Sequence, residues 1–364
     1  MRRIYSFDIE IFSNYYLIKF QNIKTKQIRY LEVFNGIEKT DLPFTLKSFL
    51  TNKQNTFISF NGINFDAVMI DAYLKGYSTE QIKKICDYII SEGKPHWITR
   101  KKFKLRELEF DHIDLKEVAH GVGVSLKGYM GRMACKLMQD LPIEPSAILT
   151  RKQANDISTY CDNDLTGTTE LYRAIEPDIK LREKLSDKYD VDLRSKSGAQ
   201  MAESIFRVYL EEKGVTVAKR TTKVLPFKYK MPEWVHFDSD EFNDMKQRIE
   251  LAVFTVSDAG KPVLPKEISH VIKYGDLKLK FGIGGIHSQE KKQSTFANTG
   301  YLYSEKDVNS LYPSIIIEQG IYPKHLTCRF LDVYTTMYNE RFASKSMVGK
   351  LGKEIDVLKK ELGL

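Results

Sequence analysis

Residues 3–10 read Arg3-Ile4-Tyr5-Ser6-Phe7-Asp8-Ile9-Glu10. Isoleucine, tyrosine and phenylalanine dominate the stretch, as they do in strands. Two acids lie two residues apart in it, and the period of a strand puts Asp8 and Glu10 on one face. Working outward, residues 15–20 and 27–34 repeat the strand composition across a Ser13-Asn14 turn and a lysine-rich turn. Residues 41–50 have helical apolar spacing, and 55–60 form a further short strand. Residues 64–77 are predicted helical, and Ser78-Thr79-Glu80-Gln81 opens a second helix that ends near Gly93. Residues 110–115 are a strand and 152–175 a long helix. This β-β-β-α-β-α-β-α order predicts an α/β domain with a mixed sheet flanked by helices.

The remainder is less regular. Residues 198–212 are predicted helical, 221–232 a connection, and 271–281 β-structure with Tyr274-Gly275-Asp276 as a turn. A strand over 301–307 leads into a helix from Ser310. Residues 334–364 read as one or two amphipathic helices broken near Gly349 and Gly352. The expected division is residues 1–180, a connecting region 181–300, and a last segment 301–364.

The 364 residues carry 56 Lys and Arg against 48 Asp and Glu, a net charge of +8 that suits a polyanionic partner. Apolar residues make up 42%, enough for true cores and too many for a disordered chain. The cysteines at 86, 135, 161 and 328 form no C-x-x-C pair, which argues against a disulfide framework or a zinc finger. The N-terminus enters a strand pattern with no apolar leader, and no stretch is long enough to span a membrane. A soluble, cytoplasmic protein is expected.

Two further acids stand at telling places. Asp66 follows Asn61 and Phe65 at a strand-to-helix junction, and Asp164 lies one turn after Tyr160 on the long helix. Together with Asp8 and Glu10 they form an oxygen-rich set suited to two magnesium or manganese ions. Such a site drives in-line phosphodiester hydrolysis, with Tyr160 orienting the attacking water. Each fragment alone has a plain reading, as a solvated strand face, a loop or a chance spacing. The weight rests on having all three, in order, on suitable elements. Asp162, two residues after Tyr160, points elsewhere and is expected at the surface.

Phe7-Asp8-Ile9-Glu10, Asn61-Gly62-Ile63-Asn64-Phe65-Asp66 and Tyr160-Cys161-Asp162-Asn163-Asp164 resemble the three motifs of DEDD exonucleases of the tyrosine subclass. The resemblance implies a ribonuclease H-like fold and 3′→5′ hydrolysis of DNA, with Asn61 and Phe65 holding the terminal nucleotide. Lys127, in Ser125-Leu126-Lys127, is a candidate contact for single-stranded DNA, with helix capping by Ser125 as the plainer reading.

A second string, Asp307-Val308-Asn309-Ser310-Leu311-Tyr312-Pro313-Ser314, places an acid before a helix start, where backbone N–H groups can meet phosphate. It resembles motif A of family B DNA polymerases. The resemblance implies that Asp307 holds a metal, that Leu311 and Tyr312 line the nucleotide site, and that Ser310 touches the triphosphate. Gly284-Gly285 resembles the template-contacting segment between the two sites, without its tyrosine. Arg341 and Lys345 resemble cations of the fingers helix that hold the triphosphate.

The K-x-x-x-N-S-x-Y-G and D-T-D motifs of such polymerases do not occur in these residues. The expectation is therefore the N-terminal portion of a family B polymerase, phage-like, encoded separately or cut short, with a partial palm and fingers. It would bind a single-stranded 3′ end and primer-template, and would take a deoxynucleoside triphosphate only when a second polypeptide completes it. The rival expectations are a non-catalytic DNA-binding or assembly subunit, and a nuclease unconnected with replication.

Overall fold

In the computed structural model the described residues are 2–119, 121, 123–217, 226–257, 262–292, 294, 296, 297, 300 and 302–362. They fall into two compact units, Met1–Gly214 and Val215–Leu364.

The first unit is α/β. Four strands form an antiparallel meander: β1 (Arg3–Phe12), β2 (Tyr15–Asn22), β3 (Ile28–Phe34) and β4 (Ile37–Thr40). After α1 (Leu46–Leu50) comes β5 (Asn55–Ser59), then α2 (Asp66–Leu74), α3 (Thr79–Glu92) and α4 (His96–Phe103). Next are β6 (His112–Asp114), α5 (Leu115–Val118), α6 (Leu126–Arg132) and α7 (Arg151–Ala174). The helices α8 (Glu176–Tyr189) and α9 (Gly198–Glu212) follow. The six strands form one mixed sheet in the order β4-β3-β2-β1-β5-β6, with β5 and β6 parallel to β1.

Period-two alternation in β1 sorts its residues between two layers. Tyr5, Phe7, Ile9 and Ile11 enter a core with Val68, Met69 and Ile70 of α2 and Ile82 and Ile85 of α3. On the opposite face Phe12 packs with Tyr15, Leu17 and α7 residues Ala154, Ile157 and Cys161. Ser6 lies on this face as well, its Oγ 3.0 Å from Thr169 Oγ1, so small side chains let α7 approach closely. Each large apolar side chain buried contributes about 1.5–3 kcal/mol. A one-residue slip of β1 would drive Asp8 and Glu10 into the aromatic layer, so burial fixes the register that presents them to α7.

Several sequence expectations need correction. The regularity of 176–189 was not foreseen, and α8 runs straight on from α7 with Pro177 in its first turn. Position 180 lies inside α8, and the following segment is tied back to the sheet. Arg194 pairs with Asp111 at 2.6 Å, and the Asp114 amide donates to Ser195 Oγ at 2.9 Å.

The second unit contains β7 (Phe227–Lys228), α10 (Asp240–Leu251), β8 (Val253–Val256) and β9 (Pro262–Val263). It continues with β10 (Val271–Tyr274), β11 (Leu277–Gly282), β12 (Gly285–Ser288), α11 (Leu311–Glu318) and α12 (Arg329–Glu361). Two three-stranded sheets, β7-β8-β9 and β10-β11-β12, adjoin a small core of Met245, Phe254, Ile268, Ile272 and Phe281. Gly275 and Asp276 form the expected turn between β10 and β11, with Gly275 at φ +57.

The strand expected over 301–307 is absent from residues 302–307, which are exposed and have no ladder partner; Tyr301 lies outside the described residues. A strand without a neighbour leaves its backbone groups to water. Of the expected connection, residues 221–225 likewise lie outside the described residues. The break expected near Gly349 and Gly352 does not occur, because α12 is one helix of 33 residues. Each glycine costs about 1 kcal/mol relative to alanine, too little to stop a helix rich in Lys, Glu and Leu. Among the described residues no helix is long and apolar enough to cross a membrane.

Candidate active site

The site forms where β1 outruns β5. The two strands pair only from Arg3 to Ser6 on β1. Beyond that the edge of β1 is open, and the Ile9 amide donates to the Asp66 carboxylate instead of to a strand. Asp66 opens α2, so its own helix N-terminus also favours the anion.

The turn that delivers Asp66 is closely held. Asn61 sits in the left-handed region at φ +66. A Cβ on Gly62 would fall 2.0 Å from Ser59 Oγ, so only glycine fits there. Asp114, at the end of β6, accepts from the Asn61 amide at 2.8 Å and the Ile63 amide at 3.0 Å. Lys116 donates to Asn61 Oδ1 at 3.0 Å. Phe65 is half-buried against the core beneath α2.

From the other side, α7 starts at a capping box between Thr150 and Gln153 and carries Tyr160, Cys161 and Asp164 across the same face of β1. Cys161 Sγ lies 3.7 Å from Asp8 Oδ2. Ligand atoms of Asp8, Glu10 and Cys161 all lie within 4.8 Å of one another. Asp164 faces the Tyr160 hydroxyl, and its Oδ1 is buried with no hydrogen-bond partner.

The electrostatics follow from this crowding. Burial is the largest cause that pushes Asp8 well above the usual carboxylate range, followed by the charges of Glu10, Asp66 and Asp164. Glu10 is pushed up by burial, then by Asp164 and Asp66, and is partly relieved by Lys127. Asp66 is raised to about 7, by burial first and then by Asp114. Burial also raises Asp164. Four carboxylates this close do not all ionise without cations.

Lys127 comes from α6. A Cβ on Gly167 of α7 would lie 2.5 Å from Met130 Sδ, so glycine lets α6 seat against α7. That contact sets the Lys127 ammonium 5.4 Å from the Tyr160 ring centroid, with Asp140 at 3.1 Å on its other side. Asp162 is half-buried and not a free surface group. It holds the buried Lys19 ammonium at 2.7 Å, and the Ser158 carbonyl holds it at 2.8 Å. Lys19 faces Asp8 across the β1–β2 ladder.

The structure thus gathers Asp8, Glu10, Asp66, Tyr160, Asp164 and Lys127 into one site, with Asn61 and Phe65 in the adjoining turn. Cys161, Asp114 and Lys116 were not singled out from the sequence as parts of it. The signal for Cys161 was present, because the residue follows Tyr160 directly. Asp114 could be placed only once the strand order was known.

The residues of the second unit are more loosely arranged. Ser310 precedes α11 at φ +53 and accepts from Arg341 Nη1 at 2.9 Å. Asp307, Leu311, Tyr312 and Lys345 are exposed. Gly284 and Gly285 form the turn between β11 and β12, where Gly285 has φ +142. No described contact joins that turn to Asp307.

Compared with known protein families, with curated proteins and with solved structures, the chain has no match. The functional reading therefore rests on the chain's own residues.

The donor set fits a hard divalent cation. Carboxylate oxygens are the ligands such ions prefer, the Asp164 Oδ1 atom is buried without a partner, and the crowded acids need positive charge.

Proposed function

We propose that the first unit is a 3′→5′ DNA exonuclease of ribonuclease H-like type. The chain as a whole would be the N-terminal portion of a family B DNA polymerase. One observation carries the reading. Acids from three separate segments, Asp8 and Glu10 on β1, Asp66 on α2 and Asp164 on α7, meet beside Tyr160 with a buried oxygen left unpartnered. A mixed sheet with helices on both faces is compatible with the implied fold.

Asp8, Glu10, Asp66 and Asp164 would hold magnesium or manganese, which supplies charge neutralisation and a more acidic bound water. Tyr160 stays a neutral phenol, because burial and Asp164 push its pKa upward. It can therefore donate to the attacking water and fix its approach. The water oxygen adds to the phosphorus of the terminal phosphodiester and gives up a proton to solvent, the bond to the 3′ oxygen of the preceding nucleotide breaks, that oxygen takes up a proton from solvent, and a nucleoside 5′-monophosphate leaves. Asn61 and Phe65 would orient the terminal nucleotide, by hydrogen bonding and by packing against its base. Lys127 offsets the negative charge that Glu10 and Asp164 present to an incoming phosphate.

Motif A supports the polymerase part, with Asp307 as one metal ligand and Ser310 and Arg341 beside the triphosphate. Nucleotide addition uses two palm aspartates. The residues that would complete it do not occur among these 364, so nucleotide addition would need further residues, on this chain or on another.

The test is digestion of a 5′-labelled single-stranded oligonucleotide. The expected result is a magnesium-dependent ladder shortening from the 3′ end, absent with chelator and in Asp8→Ala. No cleavage by folded protein, together with retained DNA binding, would favour a non-catalytic subunit.

A further inference from the structure

Cys161 takes no part in the hydrolysis proposed above, yet it stands beside the acids. It is fully buried on α7, and its Sγ lies 3.7 Å from Asp8 Oδ2 and 3.9 Å from the Asp8 carbonyl oxygen. Ala154 and Ile157 pack in the same core and offer the sulfur nothing polar. Ligand atoms of Cys161, Asp8 and Glu10 lie within 4.8 Å of one another. Among the described residues no other three Cys, His, Asp or Glu side chains come together in this way. Glu10 is only 9% exposed, and no hydrogen bond or ion pair is described for its carboxylate. A buried anion without a partner, grouped with a thiol and a second carboxylate, calls for a cation.

The donor set separates two classes of ion. Magnesium takes oxygen ligands and leaves sulfur unused. Zinc-like ions take a thiolate at about 2.3 Å and carboxylate oxygens at about 2.0–2.2 Å, and accept three protein ligands with a water in the fourth place. Ligand atoms at those bond lengths sit roughly 3.5 Å apart around a tetrahedral ion. The 3.7 Å between Cys161 Sγ and Asp8 Oδ2 already suits one. Hard ions would use Asp8 with Asp66 and Asp164, whereas a thiophilic ion would use it with Cys161. Burial, then Asp8 and Glu10, hold the thiol protonated in the metal-free chain. On binding, the S–H bond breaks, the sulfur electron pair goes to the metal and the proton passes to solvent.

We infer that Asp8, Glu10 and Cys161 form a site for a thiophilic divalent cation of the zinc class, which shares its two carboxylates with the hard-ion site and competes with magnesium for them. The inference rests on the cation-binding part of the nuclease reading and not on hydrolysis.

Cadmium ion is the probe, because a cadmium–thiolate bond gives an ultraviolet charge-transfer band that a carboxylate does not. The full chain carries Cys135→Ser and Cys328→Ser, which remove the two thiols that are not buried. Titration with cadmium should give a band that saturates at a single equivalent. Cys161→Ala, with helical content unchanged, should lose the band. Asp8→Asn and Glu10→Gln keep the thiol and should each weaken cadmium binding about tenfold or more. Excess magnesium should also raise the cadmium concentration needed. No band in the folded chain overturns the inference, as does a band that persists in Cys161→Ala. Cadmium affinity that ignores both carboxylate variants overturns it too, since the thiol would then act alone. Cadmium binding that needs all three residues, with magnesium neither competing nor stabilising the chain, would uphold the thiophilic site and count against the hard-ion one.

Discussion

Lys19 sits opposite Asp8 in the sheet yet is drawn away from it. Asp162 Oδ1 holds its ammonium at 2.7 Å, with both groups partly out of water. A buried cation beside Asp8 would otherwise neutralise the cluster and compete with a divalent ion. Asp162→Asn should therefore release Lys19 toward Asp8 and raise the magnesium concentration needed for half-maximal thermal stabilisation by about tenfold, equivalent to ~1.4 kcal/mol. Unchanged magnesium dependence in a folded Asp162→Asn protein would show that Lys19 stays put.

The acids themselves give a pH signature. Asp66 is raised from 3.8 to about 7 in the folded chain, so the native state holds its proton more tightly than the unfolded state does. Its favourable contribution is complete below pH 3.8 and is lost as pH rises through about 7. Asp8 and Glu10 move in the same direction. In chelator the melting temperature should fall between pH 5 and pH 8 more than general charge effects explain. Added magnesium should recover much more at pH 8 than at pH 5. Calorimetry at the two pH values decides it, and equal magnesium shifts would count against a carboxylate site. At this scale the sequence was informative about the acids and Tyr160, because their spacing on a strand and a helix already fixed their faces. It was silent on Asp114 and Lys19, whose roles come from neighbours far along the chain.

At the scale of elements, Gly167 and Gly62 are where the backbone must come close. Gly167 lets Met130 of α6 rest on α7, and α6 carries Lys127 to the Tyr160 ring. Gly167→Val should cost about 1–3 kcal/mol by overpacking. If the first unit is the nuclease proposed, it should also lower turnover by shifting α6. Adding Met130→Ala should recover part of both, because it clears the space the valine needs. Denaturant melts with parallel digestion assays measure this, and failure of Met130→Ala to help would mean that α6 is placed by other contacts.

The elements nearest the site were the legible ones. The strands of the meander and the long helix show sustained periodicity and clear caps. The helix α8 falls in the stretch read as less regular, although Pro177 stands in its first turn, where proline readily starts a helix. The residues before Asp307 have strand-like composition but no ladder partner, and composition alone cannot supply one.

At the scale of the molecule, the two units carry two separable sets of residues. The acids of the first unit are enclosed by its own sheet and helices, whereas Asp307 belongs to the second unit and is exposed. If hydrolysis belongs to the first unit alone, the two sets respond independently to mutation. Asp8→Ala should lower 3′→5′ hydrolysis at least a thousandfold, on the order expected when a metal-site carboxylate is lost. Asp307→Ala should change it less than about twofold. Digestion of the same labelled oligonucleotide by both full-length variants, at matched folded concentration, gives the comparison. A large loss in Asp307→Ala would mean that the sites share a metal or a substrate path and would overturn the two-site arrangement. With hydrolysis intact in Asp307→Ala, Asp307 would have no part in cleavage and would be left to the nucleotide-addition chemistry that motif A implies.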